Sequence, residues 1–433
     1  MSEEKENESS NTRTTKNSEG ASVTAQFTQD RRSLAKLIDG NGNVYQNTFD
    51  ENSNLNETIY PDGLRQSYTY EENGNLQTST SRSSRKTTYA FNRGGNIVRK
   101  AIEGQATTYE YFENGLLKKA SNKDSTVDFT YSSDKKPLTI TYDRKVSLHY
   151  KYNTKGQRVS LADSSGRYNV TYRYDHAGRL IETKQNGRLS LLKVEYKNDK
   201  IKSKKTGDNT NVSLKYSKKT NSLQEMNIQR NSDKIQKSQN FVYSYDALGR
   251  KKKIEETITT GIIRTWTLAY DRMSQLVSYS NGGNVEEEIS YDANWNRKLV
   301  KSKQDGTTHY VTNSVNQLTK LNEDEKLSYD DDGNLVRVEN LARKIDQRFE
   351  YDGRHGGKLS GFTGSKGQRC TYTYDALDNL KSEDCDGAVT EFLVDPFGTF
   401  GDTLIGEVSL LLSIKTLLNI LGQATILLHN YNN

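Results

Sequence analysis

Proline is nearly absent from this chain: three residues in 433, beside only two cysteines. So little proline leaves room for long hydrogen-bonded ladders, because each proline removes a backbone donor. Two cysteines exclude a small scaffold built on disulfides and a zinc site made of thiolates. The five histidines, His149, His176, His309, His355 and His429, form no i, i+4 pair and no Cys/His cluster. No Gly-x-Ser-x-Gly elbow, phosphate loop or His-Glu-x-x-His occurs. The expectation is a protein that is not an enzyme and holds neither cofactor nor metal. The first twenty residues, MSEEKENESSNTRTTKNSEG, lack aromatics and an apolar core of the secretory type. Either the protein is cytosolic or this is part of a longer chain.

What is present points the other way from disorder. Charged residues reach 27% and the apolar set only 32%, but 27 tyrosines are too many for an unfolded polar chain. Tyrosine suits a pleated, half-buried surface, so the bulk reads as solvated β-sheet. Net charge is +6, from 62 basic and 56 acidic residues. The short runs KIKSKK (200–205) and RKKK (250–253) read as solvated strand faces, and no RNA or DNA module accompanies them. Nucleic acid is not an expected partner.

An aromatic residue recurs before a turn about every twenty-one residues. The anchors are Phe49, Tyr70, Phe91, Tyr111, Tyr131, Tyr152, Tyr174, Tyr196, Tyr216, Tyr245, Tyr270, Tyr291, Tyr310, Tyr329, Tyr351 and Tyr374. A second aromatic or aliphatic residue usually stands two positions earlier, as Tyr68, Tyr172, Tyr243 and Tyr372 do. Period two puts both side chains on one strand face. A polar turn such as Asp175-His-Ala-Gly178 follows, then an aliphatic residue such as Leu180 opens the return strand. Each unit is a β-hairpin. One hairpin is marginal in water, so about sixteen of them must pair edge to edge.

Tyr-Asp-x-x-Gly-Arg-Leu at 174–180, Tyr-Asp-x-x-Gly-Arg at 245–250 and Tyr-Asp-x-x-Gly-Asn-Leu at 329–335 resemble the YD repeats of the Rhs and teneurin proteins. TEFLVDPFGTFGDTLIGE (390–407) is similar to a segment that follows those repeats in many relatives. The resemblance covers roughly residues 30–407 and implies a hollow β-shell: a container for a toxic domain in bacterial members, an adhesion scaffold in animal ones. Residues 29–407 are therefore assigned to an all-β array of tandem hairpins forming an open or partly closed shell. Residues 1–28 read as a disordered polar leader, 408–428 as an amphipathic helix and 429–433 as a tail.

Five features compete for a more specific role. Asp395-Pro-Phe-Gly398 resembles the DPxG motif of the self-cleavage site that ends many Rhs cores. No second Asp-Pro follows, so it reads as a turn. Ser328, Asp330, Asp332, Gly333 and Glu339 nearly fit a calcium loop, but they coincide with a hairpin turn and no flanking helices are predicted. Cys370 and Cys385 lie almost equally far from the turn 376–379, which in one register faces them for a disulfide. A shift of one residue sends them to opposite faces. Asn7, Asn56, Asn169 and Asn211 begin glycosylation sequons. The segment 408–428, VSLLLSIKTLLNILGQATILL, is long enough to span a bilayer. Lys415, Asn419 and Gln423 make insertion costly, so docking on the sheet and membrane association both stay open.

The reading is a non-catalytic scaffold for recognition, adhesion or enclosure at or outside the cell surface, part of a longer chain. Its expected partners are protein or glycan ligands, or an enclosed polypeptide. Two alternatives are the shell section of a polymorphic toxin whose cargo lies beyond this chain, and an incomplete gene product.

Overall fold

The computed structural model describes residues 3–7, 10–17, 20–207, 209–232, 235–353, 357–397 and 403–407. They form one antiparallel sheet of 38 strands, in which every strand pairs with the next along the chain. The sheet is not closed by pairing between its two ends. No helix long and apolar enough to cross a membrane occurs among the described residues. The expected helix over 408–428 lies outside them.

The hairpin turn after Tyr174 shows how each unit is made. Gly178 N–H donates to the Asp175 carbonyl at 3.0 Å, and Asp175 N–H donates to the Arg179 carbonyl at 3.0 Å. Asp175 Oδ1 accepts the Arg179 N–H at 2.9 Å, and Oδ2 accepts Arg179 Nε at 2.8 Å. Gly178 has φ 84°, the left-handed conformation that closes a three-residue hairpin loop with a bulge. The bulge sits where the anchor meets the return strand, Tyr174 opposite Leu180. A short polar side chain caps the turn and a left-handed residue closes it, and Asp with Gly meets both needs with the least strain, although Ser53 and Lys135 close other turns.

The anchor ring ties one hairpin to the previous one. Tyr70 donates its hydroxyl to the Leu55 carbonyl at 2.9 Å, Tyr111 to Ile97 at 2.8 Å, Tyr174 to Arg158 at 2.9 Å and Tyr270 to Lys251 at 2.8 Å. Tyr196, Tyr245, Tyr291, Tyr329 and Tyr374 do the same to Leu180, Leu223, Leu276, Leu318 and Leu359. Tyr152 and Tyr351 occupy the same bulged position. All these rings lie on one side of the sheet, the tyrosine face.

The sheet coils back on itself. Turns that follow the return strands of the early hairpins meet the late ones: 39–43 and 81–85 meet the anchor turns 292–296 and 330–334, and 122–125 and 143–145 meet Lys381 just beyond the anchor turn 375–379. Asn41 Nδ2 donates to Asp292 Oδ2 at 2.9 Å, a contact across 251 residues, and Ser83 N–H donates to Asp332 Oδ1 at 2.9 Å across 249. A first coil is thereby seated edge-on against a second.

Three expectations are corrected. The leader is not all coil: Thr12–Lys16 pairs with Ser22–Phe27, and Glu3–Asn7 pairs with Thr12–Lys16. Backbone pairing at a sheet edge needs no aromatic, and the β-branched Thr14 and Thr24 share a hydroxyl hydrogen bond of 3.0 Å across the strands. The bulged hairpins begin earlier than Phe49, with Phe27 opposite Leu34. Finally, Tyr310 is not an anchor. The bulged position before the turn 313–317 is held by Thr312, opposite Leu318.

Candidate functional site

The strand Ala388–Asp395 ends on the tyrosine face of the first coil. There the sheet buries its main core: Ala120, Val127, Phe129, Ile140, Leu148, Tyr150 and Leu161, joined by Ala376 and Leu393 from the end of the second coil. Over most of the remaining array the same face is half-exposed. Phe397 adds its ring edge-on to Phe129 and Tyr150, with centroids 6.2 and 6.4 Å away.

Asp395 sits at the centre of this junction, 1% exposed. Tyr150 donates its hydroxyl to Asp395 Oδ1 at 2.6 Å, and Arg158 pairs with Asp395 Oδ2. Tyr142 donates to the Val394 carbonyl at 2.6 Å. The Phe397 N–H returns to Asp395 Oδ1 at 3.0 Å, the short-range cap expected of an Asp-Pro turn. Burial pushes the Tyr150 phenol far up, and the Asp395 charge adds to it. Burial opposes the Arg158 charge, but Asp395 outweighs it and raises the guanidinium pKa. Tyr142, Tyr150 and Arg158 come from three successive strands, so the Val394 carbonyl and the Asp395 carboxylate together clasp the first coil to the end of the strand Ala388–Asp395. All three carboxylate contacts are satisfied, a structural use of the aspartate at 395.

The seam uses the anchor turns a second time. Asp332 accepts Ser83 Oγ at 2.6 Å and pairs with Arg85, while Asn294 Nδ2 donates to Asp39 Oδ2 at 2.7 Å. Lys100 Nζ reaches Asp378 Oδ2 at 3.2 Å, and Lys381 Nζ reaches Asp143 Oδ2 at 2.8 Å. Burial works against the Asp332 carboxylate, but hydrogen bonds from Arg85 and Ser83 outweigh it and hold its pKa far below the usual carboxylate range.

This geometry disposes of the calcium loop. Asp330 caps its own turn through Asn334, with the backbone N–H at 2.8 Å and Nδ2 at 2.9 Å, and Asp332 belongs to the seam. Arg337 takes Glu339 at 3.1 Å. The ligand atoms of Cys370, Glu383 and Cys385 come close together, but both sulfurs are spent in a disulfide. Cys370 and Cys385 stand directly opposite across their hairpin, with Cα atoms 4.0 Å apart and sulfurs bonded at 2.02 Å. The hairpin holds Cys370 against Phe362 and Tyr372 in a second small core. Of the sequons, Asn56 is exposed, whereas Asn169 and Asn211 are half-buried.

Sequence reasoning missed Arg158, Asp332, Asp378 and Lys381 as contacts between coils. It singled out Asp395 only by its motif. No periodic signal separates these residues from their counterparts in other repeats.

With this geometry in view, comparison with known proteins is direct. The teneurin YD-shell family matches residues 27–204 and 183–393. The tRNA nuclease WapA of Bacillus subtilis (strain 168) is 34% identical over 141 residues, and so is the tRNA3(Ser)-specific nuclease WapA of Bacillus spizizenii. Those matches take in 31% of this chain and 5% of either nuclease. Among solved structures, the crystal structure of TcdB2-TccC3-Cdc42 aligns with a TM-score of 0.64 at 12% identity, over 91% of this chain and 26% of that one. A Tc holotoxin pore of Photorhabdus luminescens aligns with a TM-score of 0.62 at 13% identity, over 90% of this chain and 24% of that one. At such identities the likeness concerns the fold, a shell scaffold of which this chain spans about a quarter. The chain belongs to the teneurin YD-shell family.

Proposed function

We propose that the chain is a non-catalytic section of a shell whose tyrosine face encloses a polypeptide, in the manner of a toxin container. The observation that supports this is the course of residues 388–397. They run onto the tyrosine face and are clasped there by Tyr142, Tyr150 and Arg158. Past this point Thr403–Glu407 pairs back against Phe392–Asp395, so a polypeptide continuing beyond residue 407 starts beside the tyrosine face. One solved structure of like fold, in which this chain's counterpart is 24% of the matched chain, is a Tc holotoxin pore. On this reading the nuclease activity named for the WapA relatives resides in the parts of those proteins that this chain does not match. The chain acts at or outside the cell surface within a longer protein. The Cys370–Cys385 disulfide agrees with an oxidising compartment.

A test uses the alternation of faces in the strand Ile235–Tyr245. Phe241 stacks with Tyr243 on the tyrosine face, and Val242 is exposed on the other. A protease-sensitive reporter is fused after Asn433, and a photo-cross-linking residue replaces Phe241 or Val242. Enclosure predicts cross-links from position 241 and a longer protease lifetime for the fused reporter than for the free one. Cross-links confined to position 242, with no protection, would sink the reading.

A second reading, recognition of an outside protein or glycan by the opposite face, draws on Asn56, an exposed sequon. Glycosylation at Asn56 in the native source, with ligand capture abolished by blocking the face of Val242, would support it.

A further inference from the structure

Seventeen described hairpins share the bulge that marks the anchor position: at Phe27, Phe49, Tyr70, Phe91, Tyr111, Tyr131, Tyr152, Tyr174, Tyr196, Tyr216, Tyr245, Tyr270, Tyr291, Thr312, Tyr329, Tyr351 and Tyr374. Sixteen carry an aromatic ring. Thr312 does not, and beside it lies a cleft of about 490 Å³. That volume falls in the range of sites for small ligands and side chains.

The walls of the cleft are what an anchor ring meets elsewhere. Tyr291 is the anchor of the preceding hairpin, Tyr310 stands two residues before Thr312, and Leu318 is its cross-strand partner. Arg297, also in the wall, opens the strand Arg297–Ser302. It holds the place of Leu276, whose carbonyl takes the Tyr291 hydroxyl at 2.9 Å one repeat earlier. The cleft is therefore the imprint of a missing tyrosine, continuous with the row of rings that joins repeat to repeat.

Ser274, Gln275, Asn296 and Asn316 complete the wall together with Trp295, whose conformation is costly. Trp295 has φ 70°, in the turn position that Gly178, Gly249 and Gly333 occupy in other repeats and that smaller or more flexible residues such as Arg31, Ser53 and Ser274 hold with φ 59–67°, and the residue is 60% exposed. A bulky residue in the left-handed region carries strain, and such exposure returns little packing energy. Strain kept at the mouth of an aromatic-lined cleft is accounted for by a ligand that covers the indole.

We propose that the cleft at Thr312 is a socket for a tyrosine side chain of an extended polypeptide lying on the tyrosine face. The ring enters between Tyr291 and Tyr310, its hydroxyl is directed to the Arg297 carbonyl position, and Trp295 closes over it. For the origin of that polypeptide the inference rests on the enclosure reading. The socket itself is tested separately.

The probe is the capped peptide acetyl-Gly-Gly-Tyr-Gly-Gly-amide, with the same peptide carrying leucine as control, titrated into the full chain and followed by NMR. The wild-type chain is expected to bind the tyrosine peptide saturably in the millimolar range and the leucine peptide several-fold more weakly. Thr312→Tyr fills the socket from within and should lower the affinity at least tenfold without lowering the melting temperature. Trp295→Ala, a change at an exposed turn, should also weaken binding. Equal binding by wild type and Thr312→Tyr, or no binding by the wild type, would overturn the proposal. Specific binding that Thr312→Tyr removes carries it even where a C-terminal reporter goes unprotected.

Discussion

The Tyr150 hydroxyl donates to Asp395 Oδ1 at 2.6 Å, joining residues 245 positions apart at the most deeply buried carboxylate described in the molecule. Arg158 takes the other oxygen. The three groups form one closed unit: each buried polar atom is satisfied by another from a distant strand. Asp395→Ala leaves a buried phenol and a half-buried guanidinium without their acceptor. Breaking a buried pair from one side costs about 3–5 kcal/mol. Urea unfolding of this variant should show a loss of that order, and an unchanged midpoint would mean that the clasp contributes nothing.

A second prediction concerns the repeat itself. Tyr174→Phe keeps the ring but removes its hydroxyl from the Arg158 carbonyl, a bond of 2.9 Å. A single hydrogen bond of this kind contributes about 0.5–1.5 kcal/mol net. The expected loss is in that range, and it should be similar for Tyr70→Phe, whose acceptor is Leu55. A loss at one position and none at the other would show that the anchor hydroxyls do not act as equivalent ties.

These ties were legible in the sequence because they are local. A Tyr-Asp pair, a Gly three residues after the Asp and an aliphatic residue beyond it all act within one hairpin. The seam was not legible, for the same reason. Asp134 and Asp332 hold the same third position of their turns, yet Asp134 pairs with its own Lys136 while Asp332 binds Arg85 in another coil. What separates them is how far the sheet coils per strand, a sum of small twists that no single repeat encodes. Thr312 was hidden by a decoy. Tyr310 lies two residues earlier on the same face and keeps the spacing near twenty, so the absent ring left no gap in the pattern. The strands Thr12–Lys16 and Ser22–Phe27 were missed because their pairing depends on backbone bonds and threonine.

The seam should respond to acid. Arg85 and Ser83 hold the folded pKa of Asp332 well below that of an unfolded aspartate, which is about 3.9. A carboxylate with a depressed folded pKa stabilises the native state above the unfolded pKa and loses that contribution as pH falls through the folded value. The seam is therefore intact from neutrality down to about pH 4 and weakens progressively below it. Asp332→Asn should lower the melting temperature at pH 7, and its deficit relative to wild type should narrow between pH 4 and pH 2. A deficit that stays constant across that range would show that the Asp332 charge is not what the seam uses.

Trp295 offers a prediction of opposite sign. Glycine at 295 relieves the left-handed strain, which for an L-residue is roughly 1–2 kcal/mol. Against this, glycine loses more backbone freedom on folding, a cost of about 0.5–1 kcal/mol. The indole is 60% exposed, so little burial is forfeited. Trp295→Gly should therefore melt no lower than the wild-type chain and as much as a few degrees higher, while it loses the tyrosine peptide. Stability gained and binding lost in one substitution is the signature of a residue retained for its ligand. A clear fall in melting temperature would instead make the indole a packing element of the turn, and the strain would then need no ligand to account for it.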